Sequence, residues 1–233
     1  MAANIDFAAL ARQPLRSDDK VGRVEICMMK HTVPDVEVRC AEAILRHTDW
    51  PFRYVAYDNR LNPANTAKMW NKFVREATCP YVCIIDSDAF APKLDPCWLT
   101  RMICALRYTK ADVILAAADR CANAQQKRSA PAQEGTIEEV LHPWSSFVFL
   151  FRRDLTERFG PFDEDFYAYG PDTEFAVRLR ARDGQAHVCS DVWFQHLHGA
   201  THRLRPERDQ ERIFARDLFR AKKRALESET GNR

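Results

Sequence analysis

Residues 81–88 read YVCIIDSD. Tyr81–Ile85 is an apolar run of strand length, and an unbroken apolar run fits a strand covered on both faces of a parallel sheet. It passes straight into Asp86-Ser87-Asp88. In extended geometry residues i and i+2 point the same way, so both carboxylates are expected on one side. Paired carboxylates just past a buried strand suit a hard divalent cation, Mn²⁺ or Mg²⁺, which takes oxygen ligands and keeps open water positions. Taken alone the pattern is weak, because aspartates at strand ends also cap turns.

The same alternation continues on both sides. Upstream, Arg23–Met29 reads as a strand. Pro34–His47 has helical spacing, with Val38, Ala41, Ile44 and Leu45 on one face. Phe52–Tyr57 is a strand stopped by Asp58-Asn59, and Ala64–Ala77 is a helix with Met69, Phe73 and Val74 inward. Downstream come a helix over Pro96–Tyr108 and a strand over Ala111–Ala117. The polar segment Arg120–Gly135 reads as a mobile loop, a lid over a site. Trp144–Phe151 is a strand, and Pro171 opens a helix over Asp172–Arg182 in a position where proline is tolerated. Gln185–Cys189 and Val192–His198 read as two late strands, and Pro206–Leu226 as a basic amphipathic helix. This order predicts an α/β single domain with a mostly parallel central sheet covered by helices and right-handed crossovers. In such sheets ligands bind beyond the carboxyl ends of the strands, so Asp58 and Asp86 are expected to face one crevice.

The chain has 233 residues, 46% of them hydrophobic, enough for a sizeable core. Residues 1–20 are expected to be a flexible lead-in, 21–202 the domain, and 203–233 a basic helix and tail. A formal charge of +2 makes no demand for a polyanionic partner. No apolar run approaches the roughly 20 residues of a membrane span, and Met1–Lys20 lacks a signal-peptide core. A cytoplasmic protein is therefore expected. Eight cysteines include no CxxC pair and several sit inside apolar runs. They read as buried free thiols rather than disulfides or zinc ligands.

Several segments, in order, resemble family-2 glycosyltransferases with the GT-A fold. Val24–Met29 is similar to the first strand, Tyr57-Asp58-Asn59 to the end of the second, and Asn71–Asp88 to the helix and strand that lead into the acidic motif. Phe147–Arg153 with Phe159–Glu164 resembles the family's GxFDE segment. Tyr169–Glu174 resembles its YGED motif, and His196–Thr201 its late histidine motif. The resemblance spans roughly residues 23–201 and departs at Pro171, where the family has an acid.

The resemblance implies the GT-A nucleotide-diphospho-sugar transferase fold and an inverting, metal-dependent transfer from a nucleotide-sugar, a UDP-sugar being favoured. It places Asp58, Asn59 and Asn71 around the nucleobase, Asp86 on ribose or a metal-bound water, and Asp88 on Mn²⁺ or Mg²⁺, with His196 or His198 as a further metal ligand. Asp172 is implied as the catalytic base, with Glu174 in reserve and Trp144 near the donor sugar. Competing readings stand beside these. Asp172 also reads as a helix cap, Trp144 as core, and a lone histidine as structural. Arg208, Arg212, Arg216 and Arg220 form a stripe that is either a solvated face or a surface for nucleic acid or a lipid head group. The acceptor is unidentified, with a hydroxylated nucleobase in DNA as the alternative to a glycan, lipid-linked or small-molecule hydroxyl. A nucleotidyltransferase also uses paired aspartates, but no Gly-rich phosphate loop follows the first strand.

Overall fold

The computed structural model describes residues 3–4, 22–30, 33–60, 65–197 and 207–230. The strands are β1 (Ala3–Asn4), β2 (Val24–Lys30), β3 (Phe52–Asp58), β4 (Tyr81–Asp86), β5 (Ala89–Phe90), β6 (Val113–Ala118), β7 (Thr136–Glu139), β8 (Val148–Arg152) and β9 (Ala186–His196). The helices are α1 (Pro34–Arg46), α2 (Thr66–Glu76), α3 (Trp98–Thr109), α4 (Leu155–Phe159), α5 (Pro171–Ala181) and α6 (Arg208–Thr230). The sheet order is β1-β7-β9-β6-β8-β4-β2-β3, with β5 paired to β9. β3, β2, β4, β6 and β9 point one way, so the sheet is mostly parallel as expected.

β4 shows why this region of the sequence is continuously apolar. Successive side chains point to opposite faces of a sheet. Tyr81, Cys83 and Ile85 join Val24, Ile26 and Met28 in one core, under Cys40 and Ile44 of α1 and Trp98, Leu99 and Met102 of α3. Val82 and Ile84 face the other way, into a core with Trp70 and Phe73 of α2, Phe159 of α4, and Phe175 and Leu179 of α5. Both faces are dry, so no position on the strand is left for a polar residue until Asp86.

Three expectations are corrected. β8 begins at Val148, not Trp144, and runs antiparallel to β4 and β6. The excursion from residue 119 to 147 returns the chain to the carboxyl edge of β4 without a crossover helix, so β8 can only descend. The late strands are one element, β9. Its pairing with β6 shifts register between Cys189 and Trp193, and the intervening bulge holds the polar pair that reads as a break in sequence. Asp191 in that bulge is satisfied by Arg101 of α3, with Nη1 2.7 Å from Oδ2.

The polar segment Arg120–Gly135 is a clamp rather than a free lid. Gln126 is fully buried. Its Nε2 donates to the carbonyls of Ala116 (3.1 Å) and Ser145 (3.0 Å), and its Oε1 accepts from the Ser145 amide (2.7 Å). Asn123 Nδ2 donates to the Pro143 carbonyl at 2.8 Å. The segment is polar because its side chains satisfy the irregular backbone of residues 143–145, which has no strand partner.

His198, Arg203 and Arg205 lie outside the described residues, as does the lead-in apart from residues 3–4. All eight cysteines are buried and free, as expected. Among the described residues no helix is long and apolar enough to cross a membrane.

Candidate functional site

The site lies at the carboxyl edge of β4. There the Asp86 amide donates to the Phe147 carbonyl at 2.8 Å, which ties the acidic turn to the start of β8. Beyond the turn, β5 pairs antiparallel with the end of β9, setting Ala89 opposite His196. The Leu197 amide donates to the Asp88 carbonyl at 3.1 Å. This short pairing brings a histidine more than a hundred residues distant against the two aspartates.

One ligand atom from each of Asp86, Asp88 and His196 fits within 4.8 Å of the others. His196 Nε2 lies 3.2 Å from Asp88 Oδ1 and 3.7 Å from Asp86 Oδ2. Its Nδ1 is 2.8 Å from the Arg120 carbonyl, which can only accept, so Nδ1 carries the hydrogen and Nε2 faces the carboxylates. The ring stacks on Phe147 at 4.8 Å and 23°, and its own amide donates to Asp119 Oδ1 at 2.9 Å. The imidazole is thus held at Nδ1 and on one face, and the backbone that carries it is held by Asp119.

The electrostatics are those of crowded acid. Asp86 is pushed upward first by desolvation, then by Asp88 and more weakly by Asp172, with His196 opposing. Since 47% of its side chain still meets solvent, the like charges are the firmer part of that shift. Burial pulls His196 down, but its hydrogen bond to Asp88 and the charges of Asp88 and Asp86 together win and raise it. A divalent cation relieves this crowding, and two carboxylates with a bare Nε2 form a donor set that fits one.

Asp172 opens α5 beside this cluster. The N-cap position belongs to Gly170, whose φ of +93° and close approach to the Phe166 ring exclude a side chain. Asp172 is therefore not the helix cap. Its Oδ1 accepts from the Thr173 amide (2.7 Å) and its Oδ2 from the Ser146 hydroxyl (3.0 Å). Burial raises its carboxyl, and these hydrogen bonds hold it back.

The other expected residues are placed differently. Glu174 is buried in a two-bonded ion pair with Arg178, at 2.7 and 2.8 Å, and Arg178 also donates to the carbonyls of Phe159 and Pro161. It braces α5 against the 159–161 segment. Asn71 spends its amide on Phe162 and Glu164, and Trp144 packs edge-on against Phe175. Asp58 ends β3, two strands from Asp86, and is gripped by Arg60 at 2.7 and 2.9 Å, which holds its carboxyl down to about 2. Asn59 is buried beside it, its amide bonded to the Lys30 carbonyl. On α6, Arg216 and Arg220 pair with Asp217, while Lys222 binds Asp163 and Asp165, so the basic helix is partly neutralised and docked. Asp119 was not singled out in the sequence. It follows the carboxyl end of β6, and the strand-end rule that selects Asp58 and Asp86 also selects it.

No protein-family model and no curated protein matches the sequence. Solved structures do match. The S. aureus TarS fragment 1–349 has a TM-score of 0.53 and 17% identity over 74% of this chain and 59% of its own. TarS itself gives 0.53 at 14% identity, over 77% of this chain and 38% of its own. The 1–349 fragment in complex with UDP-GlcNAc gives 0.51 at 17% identity, over 74% and 57%. These neighbours are glycosyltransferases with the GT-A fold.

The chain has the GT-A fold. It spans less than two thirds of the length of each of these neighbours. In the GT-A fold of this chain, the Asp86, Asp88 and His196 cluster and Asp172 share the carboxyl edge of the sheet, where open α/β sheets hold their ligands.

Proposed function

We propose that the chain is a metal-dependent, inverting glycosyltransferase that uses a nucleotide-sugar donor, a UDP-sugar by preference, and a hydroxyl acceptor. The observation that carries this reading is the convergence of Asp86, Asp88 and His196 beyond β4, with Asp172 beside them. The likeness to a fold solved with UDP-GlcNAc in TarS supports it.

In this reading Asp88 and His196 would hold Mn²⁺ or Mg²⁺, and Asp86 would meet ribose or a metal-bound water. A cation held there would supply positive charge against the negative charge that builds on the departing diphosphate. Asp172 accepts the proton of the acceptor hydroxyl as its oxygen bonds to the anomeric carbon. The bond from that carbon to the diphosphate oxygen breaks on the opposite face, and the diphosphate keeps the electron pair. Asp58 and Asn59, at the tip of β3, are the candidate contacts for the base, with Arg60 as the competitor that the nucleotide must displace from Asp58.

The test is a thermal-shift panel of UDP-, GDP- and dTDP-sugars with and without Mn²⁺. A ligand that binds only the folded state stabilises it by mass action. Stabilisation by one nucleotide class, present only with the metal, is the expected result. An equal response with and without Mn²⁺ would sink the metal assignment.

A further inference from the structure

The hydroxyl of Ser146 lies 3.0 Å from Asp172 Oδ2. The serine is the better anchored of the two. Its neighbour Ser145 is gripped through its amide and its carbonyl by buried Gln126, and the Ser145 hydroxyl accepts from the amides of Ala122 (3.0 Å) and Asn123 (3.2 Å). On the other side, Phe147 gives its carbonyl to the Asp86 amide and its ring to His196. Trp144 is packed on Phe175. Residues 144–147 are thus a strut with one end in the Arg120–Gly135 clamp and the other in the acidic cluster. Asp172, by contrast, sits in the first turn of α5, where its carboxylate takes this hydroxyl on Oδ2, the Thr173 amide (2.7 Å) and hydroxyl (3.4 Å) on Oδ1, and further hydrogen bonds from the amides of Ser146 and Asp172.

We propose that Ser146 is a positioning residue that aims the Asp172 carboxylate at the acceptor hydroxyl and sets its distance from the Asp86, Asp88 and His196 cluster. This rests on the glycosyl-transfer reading for what Asp172 does, but not for how it is held. The Ser146 hydroxyl is bonded to Asp172. It acts through Asp172, and the strut makes the base and the cluster one rigid unit. A misplacement of about 1 Å at such a base costs on the order of a hundredfold in rate.

The experiment compares wild type with Ser146→Ala and Ser146→Thr. UDP-GlcNAc and UDP-glucose with Mn²⁺ serve as probes, read by UDP release with water as acceptor, and a crystal structure of Ser146→Ala is solved alongside. The alanine variant should keep the donor KM and the melting temperature, lose at least about tenfold in kcat, and show Asp172 rotated away. Threonine, which restores the hydroxyl, should recover most of the rate. An alanine variant within twofold of wild type in kcat, or with Asp172 unmoved in its crystal structure, overturns the proposal. Wild-type protein that binds and turns over none of the UDP-, GDP- and dTDP-sugars of the thermal-shift panel with Mn²⁺ overturns the acceptor-aiming role together with the glycosyl-transfer reading. In that case the crystal structure still shows whether Ser146 holds Asp172.

Discussion

His196 Nε2 sits 3.2 Å from Asp88 Oδ1 while Nδ1 is pinned 2.8 Å from the Arg120 carbonyl. With Nδ1 committed, Nε2 is the one nitrogen that can face the carboxylates. Without a cation a proton on Nε2 bridges to Asp88. With a cation the lone pair on Nε2 is a ligand. In the proposed metal-dependent reading, proton and metal would therefore compete for one position.

That competition gives Mn²⁺ binding a definite pH dependence. His196 is raised above its ordinary 6.5, so its proton must be released when metal binds. Apparent Mn²⁺ affinity should fall as pH drops through this raised value, measured by titration calorimetry between pH 6 and 8. In the metal-free protein the sign is opposite. The stabilising His196–Asp88 pair is fully present below 6.5 and is lost as pH rises through the raised value.

Removing a ligand and removing its support should differ in degree. Asp88→Ala should abolish the Mn²⁺-dependent thermal shift. Asp119→Ala removes the acceptor for the His196 amide and a 3.9 Å ion pair with Arg120, whose carbonyl holds His196 Nδ1, and loss of such outer partners costs about ten- to a hundredfold in metal affinity. Equal Mn²⁺ affinity in Asp119→Ala and wild type, by calorimetry, would count against this role.

Asp172 and Glu174 should separate cleanly. Asp172→Asn should retain Mn²⁺-dependent donor binding and lose about 10²–10⁴-fold in turnover. Glu174→Gln weakens the Arg178 ion pair that braces α5, and should cost about 1–3 kcal/mol in stability by urea denaturation. Turnover per folded molecule should be retained.

Arg101 and Asp191 are 6% and 2% exposed, and they hold the β9 bulge that sets the register leading to His196. Arg101→Met leaves Asp191 buried without its cation. The expected loss is about 3–5 kcal/mol in urea denaturation.

Asp58 tests an exposed pair. Arg60 holds its carboxyl down to about 2 from an ordinary 3.8, so the pair's contribution is present above 3.8 and is lost as pH falls through about 2. Arg60→Ala should return the Asp58 midpoint toward its ordinary value by carboxyl ¹³C NMR. Arg60 also pairs with buried Glu37 at 3.3 Å, so the melting temperature should fall through the loss of that partner rather than of the exposed Asp58 pair, which solvent screens.

The alternation of apolar runs with helical spacing was enough to place β2, β3, β4, β6 and the helices between them, because strand and helix periods are written locally. It also marked Asp86 and Asp88, because a strand buried on both faces admits no charge until its end. It misread 120–135 as a lid. A polar segment looks the same in sequence whether its amides meet water or, as with Gln126, the backbone of a neighbour. It split β9 for the same reason, since Ser190-Asp191 reads as a turn until Arg101 is beside it.

What the sequence by itself determined, then, was the order of elements and the acidic tip of β4, both set by the local pattern of buried and exposed side chains. The tertiary structure decided which distant groups meet there. The pairing of β5 with β9 brings His196 to Asp88, and the strut at 144–147 joins that cluster to Asp172. Such contacts depend on strand register and on a bulge stabilised from another helix, and no periodicity along the chain encodes either.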